Sequence, residues 1–346
     1  MSGHRSTPRP VTSGDWFEHL MGFTEEAGYD ATQRRLLVDG DELVSAVNGN
    51  RYGIGELTLP TLAQLRERVN PTGHQRSSVG IVVGDVRALH SDPAFEGALF
   101  QVASQFNLLE MTSQDVTPEQ GVGRYAYDPT QGPACAMAAG AATIYRNYRV
   151  PVGDGIGQTR KRQLDALAGL GAALSDAIGL PVSRLWRMQN GYALCGREGL
   201  AAITALLNTA PEDLVDTLRG HLAIGMHRDV EVTDGARRRV SQAFCSALPV
   251  AYSPQPPRDW EPFARLVLQA AYEATLLAAA EQASKGGSNT ILLTRLGGGA
   301  FGNEDHWIDS AIERAFAIVE HAGLDIRIVS RGQVSPAVQA IVERWR

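Results

Sequence analysis

Residues Thr290 to Ile308 read TILLTRLGGGAFGNEDHWI, and this stretch indicates the fold. An apolar run typical of a buried strand is followed by a glycine-rich turn and by the start of a predicted helix. Glycine lets the backbone approach a ligand closely, and the amides at a helix start carry a partial positive charge that suits a phosphate. The stretch therefore predicts an anion site at the end of a strand, although such turns can also be glycine-rich for packing alone.

The composition is that of a globular protein with a large core. The chain has 346 residues, of which 44% are hydrophobic and 20% charged, and this length allows one elaborated domain or two ordinary ones. The net charge of -6 gives no electrostatic reason to expect extended nucleic acid as a partner. Two short basic runs, at residues 160–162 and 237–239, can contact phosphates locally or form solvated helix surface.

The cysteines and the first residues favour a cytoplasmic protein. The three cysteines, Cys135, Cys195 and Cys245, form no CxxC or Cys/His cluster, so we expect no disulfide framework, no metal site and no cofactor. Residues 1–14 are polar and lack an apolar run, which predicts a disordered tail and not a signal peptide. The apolar run at 270–283 is too short to span a bilayer, so no membrane partner is expected.

Apolar strand patterns alternate with helical patterns along most of the chain. Strands are predicted at residues 78–86, 98–111, 241–252, 290–296 and 324–330, and helices at 262–283, 305–322 and 336–345. This alternation is typical of an α/β fold with a largely parallel sheet covered on both faces. Ligands of such sheets bind at the carboxyl ends of the strands, where the glycine-rich turns of this chain lie.

Two segments depart from this alternation. Residues 15–77 combine short helical patterns with short strands, and we expect them to form an N-terminal extension that packs on the main sheet. Residues 157–235 mix helical patterns with a strand-like stretch at 183–194, and we expect a large α/β insertion there. The main domain is accordingly predicted at residues 78–346, interrupted by that insertion.

Four segments are expected to meet at the carboxyl edge of the sheet. The first, Gly84-Asp85-Val86, offers a carboxylate that can accept a hydrogen bond from an amine such as that of adenine, or that can simply cap a turn. The second, residues 105–110, ends a predicted strand with polar side chains that suit sugar hydroxyls but are also common in turns. The third, residues 128–133, can cap the next helix or present amides to a diphosphate, and the fourth is the turn at 297–303.

The order of these segments resembles the macrodomain family, which binds ADP-ribose and includes poly(ADP-ribose) glycohydrolases and mono-ADP-ribosyl hydrolases. The resemblance covers residues 78–156 and 241–346. The second phosphate loop of that family reads Gly-x-Gly-x-aromatic-Gly, and GGGAFGN at 297–303 contains it in register, in the form typical of the bacterial glycohydrolase branch. The resemblance implies a macrodomain-like, mixed and largely parallel sheet between helices.

The same resemblance implies roles for individual residues. Asp85 would contact adenine, Asn107 is the nearest match to an asparagine that meets the distal ribose, and Phe301 would pack on that ribose. Residues 131–134 take the place of the first phosphate loop. The implied ADP-ribose-binding residues are Asp85, Val86, Asn107, Gln131, Gly132, Gly297, Gly298, Gly299, Ala300, Phe301, Gly302 and Asn303.

The chain departs from the family where the catalytic carboxylate is usually found. The first loop lacks the run of three glycines, and no Gln-Glu-Glu sequence follows it. Glu110 and Asp128 are the candidate replacements, since either can protonate a leaving group or orient water at the anomeric carbon. A partly closed pocket can raise a carboxyl pKa as an acid requires. Asp115, Glu119 and Asp305 are weaker candidates, and each of the five can instead be a solvated loop residue.

Two further features have open interpretations. Arg331 follows the last predicted strand, where it can stack beneath adenine or lie on the surface. Residues 186–192 can form a substrate-facing wall or a hairpin packed on the core. His90 and His227 have no metal-ligand spacing and are interpreted as structural.

We therefore predict an enzyme that binds ADP-ribose and hydrolyses an ADP-ribosyl linkage, releasing ADP-ribose from a modified target. The alternative is a non-catalytic module that binds ADP-ribose or an NAD metabolite, and the missing acidic pair favours it. A third interpretation keeps the fold but gives it another nucleotide as ligand. The sequence leaves open the linkage, the oligomeric state and the target, including whether the target is a protein or a modified nucleobase.

Overall fold

A seven-stranded sheet organises the fold. The computed structural model describes residues 16–71, 73, 75–235 and 237–345, and the tail predicted at residues 1–14 lies outside the described residues. The strands are β1 Leu36–Asp39, β2 Glu42–Ser45, β3 Arg51–Gly53, β4 Glu56–Thr58, β5 Ser78–Val83, β6 Leu99–Ala103, β7 Pro151–Val152, β8 Gly155–Ile156, β9 Trp186–Gln189, β10 Tyr192–Cys195, β11 Gly225–Glu231, β12 Arg239–Cys245, β13 Thr290–Leu293 and β14 Asp325–Ser330.

Helices connect most of these strands. The α-helices are α1 Trp16–Met21, α2 Tyr29–Arg34, α3 Leu62–Arg68, α4 Val86–Ser91, α5 Gln131–Ala138, α6 Gly140–Tyr148, α7 Ala168–Ile178, α8 Val182–Leu185, α9 Arg197–Thr209, α10 Glu212–Gly220, α11 Pro257–Ser284, α12 Asp305–Ile318 and α13 Pro336–Trp345. Short 3-10 helices lie at Glu25–Ala27, Pro93–Phe95, Pro118–Gln120, Gly123–Tyr127 and Val250–Tyr252.

The large sheet is mixed and mostly parallel. Its strand order is β4-β11-β12-β6-β13-β14-β5. The five strands from β12 to β5 are parallel to one another, whereas β11 is antiparallel to both β4 and β12. The predicted α/β class with a largely parallel sheet is therefore confirmed, and the carboxyl ends of the five parallel strands lie along one edge.

Helices cover both faces of this sheet. Neighbouring residues of a strand point to opposite faces. In β6, Phe100 stacks on His90 of α4 with ring centroids 3.7 Å apart, while Gln101 donates to Thr275 Oγ1 of α11 at 3.0 Å. Helix α11 is 28 residues long, and every residue from Ala270 to Glu281 is buried. Within the ranges that the structure describes, no helix is long and apolar enough to cross a membrane.

The long strand predicted at 98–111 is wrong beyond Ala103. The chain turns back after β6, since the Gln105 amide donates to the Leu109 carbonyl at 2.9 Å and Leu108 has a left-handed backbone with φ of 64°. The apolar pattern continues past the strand because this loop is itself buried.

The strand-like stretch predicted at 183–194 is a short helix followed by a hairpin. Helix α8 ends at Leu185, and β9 and β10 then pair antiparallel. Asn190 and Gly191 form the turn with φ of 46° and 80°, the positive values that a two-residue Asn-Gly turn requires. The hairpin interpretation of residues 186–192 therefore describes the backbone.

The predicted extension and insertion each supply a strand of the central sheet. β4 lies in the segment predicted as an N-terminal extension, and it forms the sheet edge beside β11. β11 lies in the segment predicted as an insertion, and it pairs with β12. Both segments are thus continuous with the main sheet at these strands.

The remaining N-terminal residues form a second apolar core against α6. Trp16, Phe17 and Leu20 of α1 are buried there with Ile144 and Tyr148 of α6. The carboxylate of Glu25 accepts hydrogen bonds from the amides of residues 122 and 123 at 2.9 and 2.6 Å and from the Tyr148 hydroxyl. These contacts fix the long loop between β6 and α5.

An ion network ties α11 to three other helices. Glu273 of α11 is buried and binds Arg66 of α3 at 2.6 Å and Arg314 of α12 at 2.5 Å. Asp216 of α10 binds the same two arginines at 2.8 and 3.3 Å. Removing one member of such a network leaves buried charge uncompensated, so its loss costs more than the loss of a surface pair.

We expect Glu273→Gln to lower the free energy of unfolding by roughly 2 to 3 kcal/mol, because it removes the buried anion that faces two arginines. Urea denaturation at neutral pH measures this effect. The matched control is Glu198→Gln, which breaks an ion pair with Arg184 whose two side chains are each more than half exposed and which should leave the midpoint unchanged. Equal midpoints for the two variants would contradict the role given to Glu273.

Candidate active site

A cavity of about 540 Å³ lies at the carboxyl edge of the parallel strands. Its wall is built by the residues that follow β6, β12, β13 and β14, together with the loop before α5 and the start of that helix. This volume lies within the usual range of small-molecule sites, and the position is the usual one in an α/β sheet.

The glycine-rich turn after β13 forms one side of the cavity. Gly297, Gly299, Ala300 and Phe301 line it. Gly297 has a φ of 74°, which a residue with a side chain rarely adopts, and a Cβ there would lie 2.5 Å from the Cβ of Ala247.

Asn303 anchors this turn through hydrogen bonds and does not line the cavity. Its side-chain amide donates to Leu248 O at 2.8 Å, and its backbone amide donates to Gly297 O at 2.9 Å. Gly298 and Gly302, also predicted to bind the ligand, likewise lie outside the lining. The turn as a whole is placed as predicted, but only part of it faces the cavity.

The loop before α5 forms the opposite side. Asp128, Gln131 and Gly132 line the cavity, and the Asp128 carboxylate accepts a hydrogen bond from the Thr130 amide at 2.8 Å. A Cβ at Gly132 would lie 2.2 Å from Ala103 O, so only glycine allows α5 to start this close to the end of β6. The two predicted phosphate loops thus face the same cavity.

Glu110 supplies a buried carboxyl group to the cavity wall. Its exposed fraction is 2%, and a Cβ at Gly132 would lie only 3.3 Å from its Cγ. Among the described residues neither carboxyl oxygen has a hydrogen-bond partner. The backbone amide of Glu110 donates to the Tyr125 hydroxyl at 3.1 Å, which fixes the main chain at this residue.

Arg146 of α6 is the cation nearest to this carboxyl. The side chain is fully buried, and its Nη2 lies 3.9 Å from Glu110 Oε1. Its guanidinium donates to Leu108 O, Thr143 Oγ1 and His227 Nδ1 at 3.1, 3.0 and 3.2 Å. It also lies over the Phe244 ring, 3.8 Å from the centroid.

Burial favours the protonated form of the Glu110 carboxyl. Burial raises its pKa to about 8, and Arg146 lowers that pKa only in part. The 3.9 Å between Arg146 Nη2 and Glu110 Oε1 is too long for a charge-assisted hydrogen bond. The two groups therefore attract each other without forming a hydrogen-bonded ion pair. The loss of hydration on burial therefore outweighs the attraction of Arg146 and favours the neutral carboxyl. A general acid needs this protonated form.

An aromatic cluster closes the cavity beside the glycine-rich turn. The rings of Tyr192, Tyr252 and Phe301 lie 5.2 to 5.6 Å apart, and all three line the cavity. The Tyr192 hydroxyl donates to Met111 O at 2.8 Å, which ties the β9–β10 hairpin to the segment that carries Glu110. The hairpin therefore also contributes to the cavity wall, as the other interpretation of residues 186–192 expects.

Three predicted ligand contacts lie away from the cavity. The Asp85 carboxylate caps α4 and accepts from the Arg87 and Ala88 amides at 2.9 and 3.3 Å, and Val86 is buried in the first turn of that helix. Asn107, predicted to meet the distal ribose, is buried in the turn after β6 and does not line the cavity. Its amide donates to Gln163 at 2.9 Å and accepts from the Leu109 amide at 3.1 Å, so the turn after β6 uses both of its polar ends internally.

The weaker acidic candidates hold loops together. Asp115 accepts from the side chain of Gln189 at 2.9 Å, and Glu119 accepts from the Arg160 amide at 2.8 Å. Asp305 pairs with Arg295 at 2.7 Å. None of the three lines the cavity within the part of the chain that the structure describes.

Sequence reasoning did not identify Arg146 or Tyr252 as site residues. The one signal for Arg146 was a charged residue in the otherwise small and apolar helix after Pro133, which predicts a buried cation with a specific partner. Tyr252 follows a proline-containing strand end and has no sequence signal of its own. Arg331, in contrast, lines the cavity and donates to the Pro129 carbonyl.

The described residues contain no group of three or more His, Cys, Asp or Glu side chains that could hold a metal ion. Cys245 does line the cavity, but burial raises the pKa of its thiol to about 12, so it stays protonated.

We expect the stability of the protein to fall as the pH rises from 5 to 9, in part because of Glu110. Between its ordinary pKa of 4.5 and its folded-state pKa of about 8, the native protein holds a proton that the unfolded chain has released. This proton accounts for a decline on the order of 3 kcal/mol in the free energy of unfolding between pH 5 and pH 9, and Glu110→Gln should abolish that part of the decline. Urea denaturation at both pH values tests this, with Glu198→Gln as control. An unchanged pH dependence in Glu110→Gln would contradict a protonated Glu110.

The chain is similar in structure to solved glycohydrolases, with TM-scores below 0.5. It is similar to poly(ADP-ribose) glycohydrolase from Deinococcus radiodurans in complex with ADP-ribose, with 12% identity over 84% of this chain and 93% of that chain and a TM-score of 0.43. It is also similar to the Thermomonospora curvata poly(ADP-ribose) glycohydrolase bound to the inhibitor ADP-HPD, with 12% identity over 96% and 97% and a TM-score of 0.44. No protein-family model and no curated protein sequence matches the chain. Likenesses this distant do not assign an activity, which has to be argued from the site.

Proposed function

We propose that the protein binds ADP-ribose in the cavity and hydrolyses an ADP-ribosyl linkage, releasing ADP-ribose from a modified target. The observation that carries this proposal is a buried carboxyl residue, Glu110, in the wall of a cavity that lies between a glycine-rich turn and the start of helix α5. Such turns suit a diphosphate, and such a carboxyl suits the departure of a glycosidic leaving group.

The diphosphate is proposed to lie between the turn at 297–302 and the start of α5. Gly299 and Ala300 on one side and Gln131 and Gly132 on the other line this space. The glycines at 299 and 132 let the backbone approach the phosphate oxygens. The distal ribose is then placed beside the aromatic cluster and faces Glu110.

Glu110 is proposed as the general acid. As the bond between the anomeric carbon and the leaving group breaks, the Glu110 proton passes to the leaving atom and positive charge develops on the sugar ring. The carboxylate that results is stabilised by Arg146, 3.9 Å away. It then accepts a proton from the water that attacks the anomeric carbon, which restores the carboxyl group.

Asp128 is proposed to bind substrate and not to donate the proton. It lines the cavity, is partly exposed and already accepts a hydrogen bond from the Thr130 amide. A carboxylate in this position can accept a hydrogen bond from a ribose hydroxyl or from the attacking water.

The adenine end is proposed to extend toward the β14 and β5 strand ends. Arg331 lines the cavity there, and its guanidinium can stack on a base. Asp85 lies at the end of the neighbouring strand β5 and is exposed, so its carboxylate can still reach an amine of a base that lies beyond Arg331. We place this activity in the cytoplasm, where the three buried free thiols stay reduced.

We expect Glu110→Gln to lower kcat by about 10² to 10⁴-fold while ADP-ribose binding is retained, because only the proton donor is lost. For the wild type, kcat/KM should decline above a pH of about 8, where the acid loses its proton. Release of free ADP-ribose from ADP-ribosylated protein, nucleic acid and small-molecule substrates is the measurement.

The matched control for that experiment is Asp128→Asn, which should raise KM more than it lowers kcat. Full activity in Glu110→Gln would contradict the assignment of the acid. Tight ADP-ribose binding by the wild type without turnover of any of the three substrates would select the alternative function, a non-catalytic binding module.

We expect Gly299→Val to weaken ADP-ribose binding by at least about ten-fold. A Cβ at this position meets no atom within 4 Å, so the fold tolerates a side chain that enters the space proposed for the diphosphate. Isothermal titration calorimetry measures the affinity. Gly196→Val is the matched control, since Gly196 is equally open, is extended and does not line the cavity. Wild-type affinity in Gly299→Val would contradict the placement of the ligand.

A further inference from the structure

A second cleft, of about 480 Å³, lies beside the β9–β10 hairpin, and we refer to it as the outer cleft. Three cationic side chains, Arg160, Lys161 and Arg187, line it together with Gln163, Asp165 and Asn190. Arg160 and Lys161 belong to the basic run at residues 160–162, for which the sequence allows either phosphate contact or a solvated surface. The cleft brings them together with a third cation from β9.

The three cations have no ion-pair partner within the described ranges. The acidic groups around the cleft are engaged by N–H groups instead. Asp165 accepts from the Leu167 amide at 2.9 Å, and Glu119 accepts from the Arg160 backbone amide at 2.8 Å. Among the lining residues, three cationic side chains face the single carboxylate of Asp165, in a chain whose net charge is -6.

A chain of buried amides forms the floor of the outer cleft and fixes its shape. Gln163 donates to Asn190 at 3.0 Å and accepts from Asn107 at 2.9 Å. Asn190, which is 5% exposed, donates in turn to Gln114 O at 2.7 Å. This floor holds the hairpin turn in place, so the cations project from a rigid base.

The same hairpin separates the outer cleft from the cavity. Arg187 of β9 lines the cleft, whereas Tyr192 of β10 lines the cavity. The segment after β6 also serves both, because Glu110 and Thr112 line the cavity and Gln114 binds the cleft floor. A group attached to a sugar beside Glu110 would therefore leave the cavity next to this hairpin.

We infer that the outer cleft is a subsite for a phosphate group carried by the moiety to which the ADP-ribose is attached, an inference that rests on the proposed function. Guanidinium and ammonium groups bind phosphate through charge-assisted hydrogen bonds, and Arg187 and Arg160 can do so with two N–H groups each. No aromatic ring lines the cleft within the described residues, so it offers phosphate contacts and no platform on which a base can stack.

The direct test is pyrophosphate binding to the full chain at low salt with the cavity saturated by ADP-ribose. The double variant Lys161→Glu/Arg187→Glu should weaken this binding by about ten-fold or more. The control Arg197→Glu/Arg258→Glu makes the same change in net charge at two exposed positions outside the cleft and should change the affinity less than two-fold. Equal losses in the two double variants, or no binding of pyrophosphate, would overturn the inference.

A kinetic comparison distinguishes a phosphate of the substrate from a free anion. One substrate carries ADP-ribose on a nucleotide with a terminal phosphate, and the other carries it on the same nucleoside without the phosphate. The cleft variant should raise KM about ten-fold for the first substrate only. Equal KM effects on both substrates, or an effect on neither, would overturn the substrate assignment.

The two proposals can fail separately. Pyrophosphate binding that depends on Lys161 and Arg187 but occurs without any turnover would refute the proposed hydrolase activity while supporting an anion subsite. Turnover of both substrates without a difference between the cleft and control variants would support the activity and refute the subsite.

Discussion

The loss of hydration of one carboxyl group sets the chemistry of this site. Glu110 is placed against the start of α5, with its Cγ close to Gly132, and its two oxygens gain no hydrogen bond among the described residues in return for lost water. A carboxylate in such a position is unfavourable, so the neutral acid prevails at neutral pH. Arg146 remains near enough to stabilise the anion for the moment at which the proton has left.

The backbone around Glu110 enforces that placement. The loop after β6 turns back through Leu108, whose carbonyl binds Arg146, while the hydroxyl of Tyr125 fixes the amide of Glu110 itself. Glu25 orders the residues just before Tyr125, so the N-terminal segment supports the site without lining it. The parallel sheet contributes the rest by bringing four strand ends to one edge, where the turn at 297–302 and the start of α5 face each other across the cavity.

Local sequence pattern could predict the parts of this arrangement that depend on local chemistry. The glycine-rich turn with Phe301, the loop at 128–132 and the largely parallel sheet follow from strand periodicity and from glycine placement. The surroundings of Asn107 could not be predicted, because its hydrogen-bond partner Gln163 lies far away in the chain. The role of Arg146 could not be predicted for the same reason, because it depends on the Glu110 carboxyl group, which tertiary packing brings close. The prediction of a long strand at 98–111 was wrong beyond Ala103, because the loop that follows is buried and therefore as apolar as a strand.

The most direct measurement of this account is a carbon-13 NMR titration of the glutamate side-chain carboxyls, with the Glu110 signal assigned by its disappearance in Glu110→Gln. The account predicts that this carboxyl is protonated at neutral pH and titrates near 8. A Glu110 carboxyl that titrates near its ordinary value of 4.5 would contradict it, because the site would then hold an anion and no proton donor.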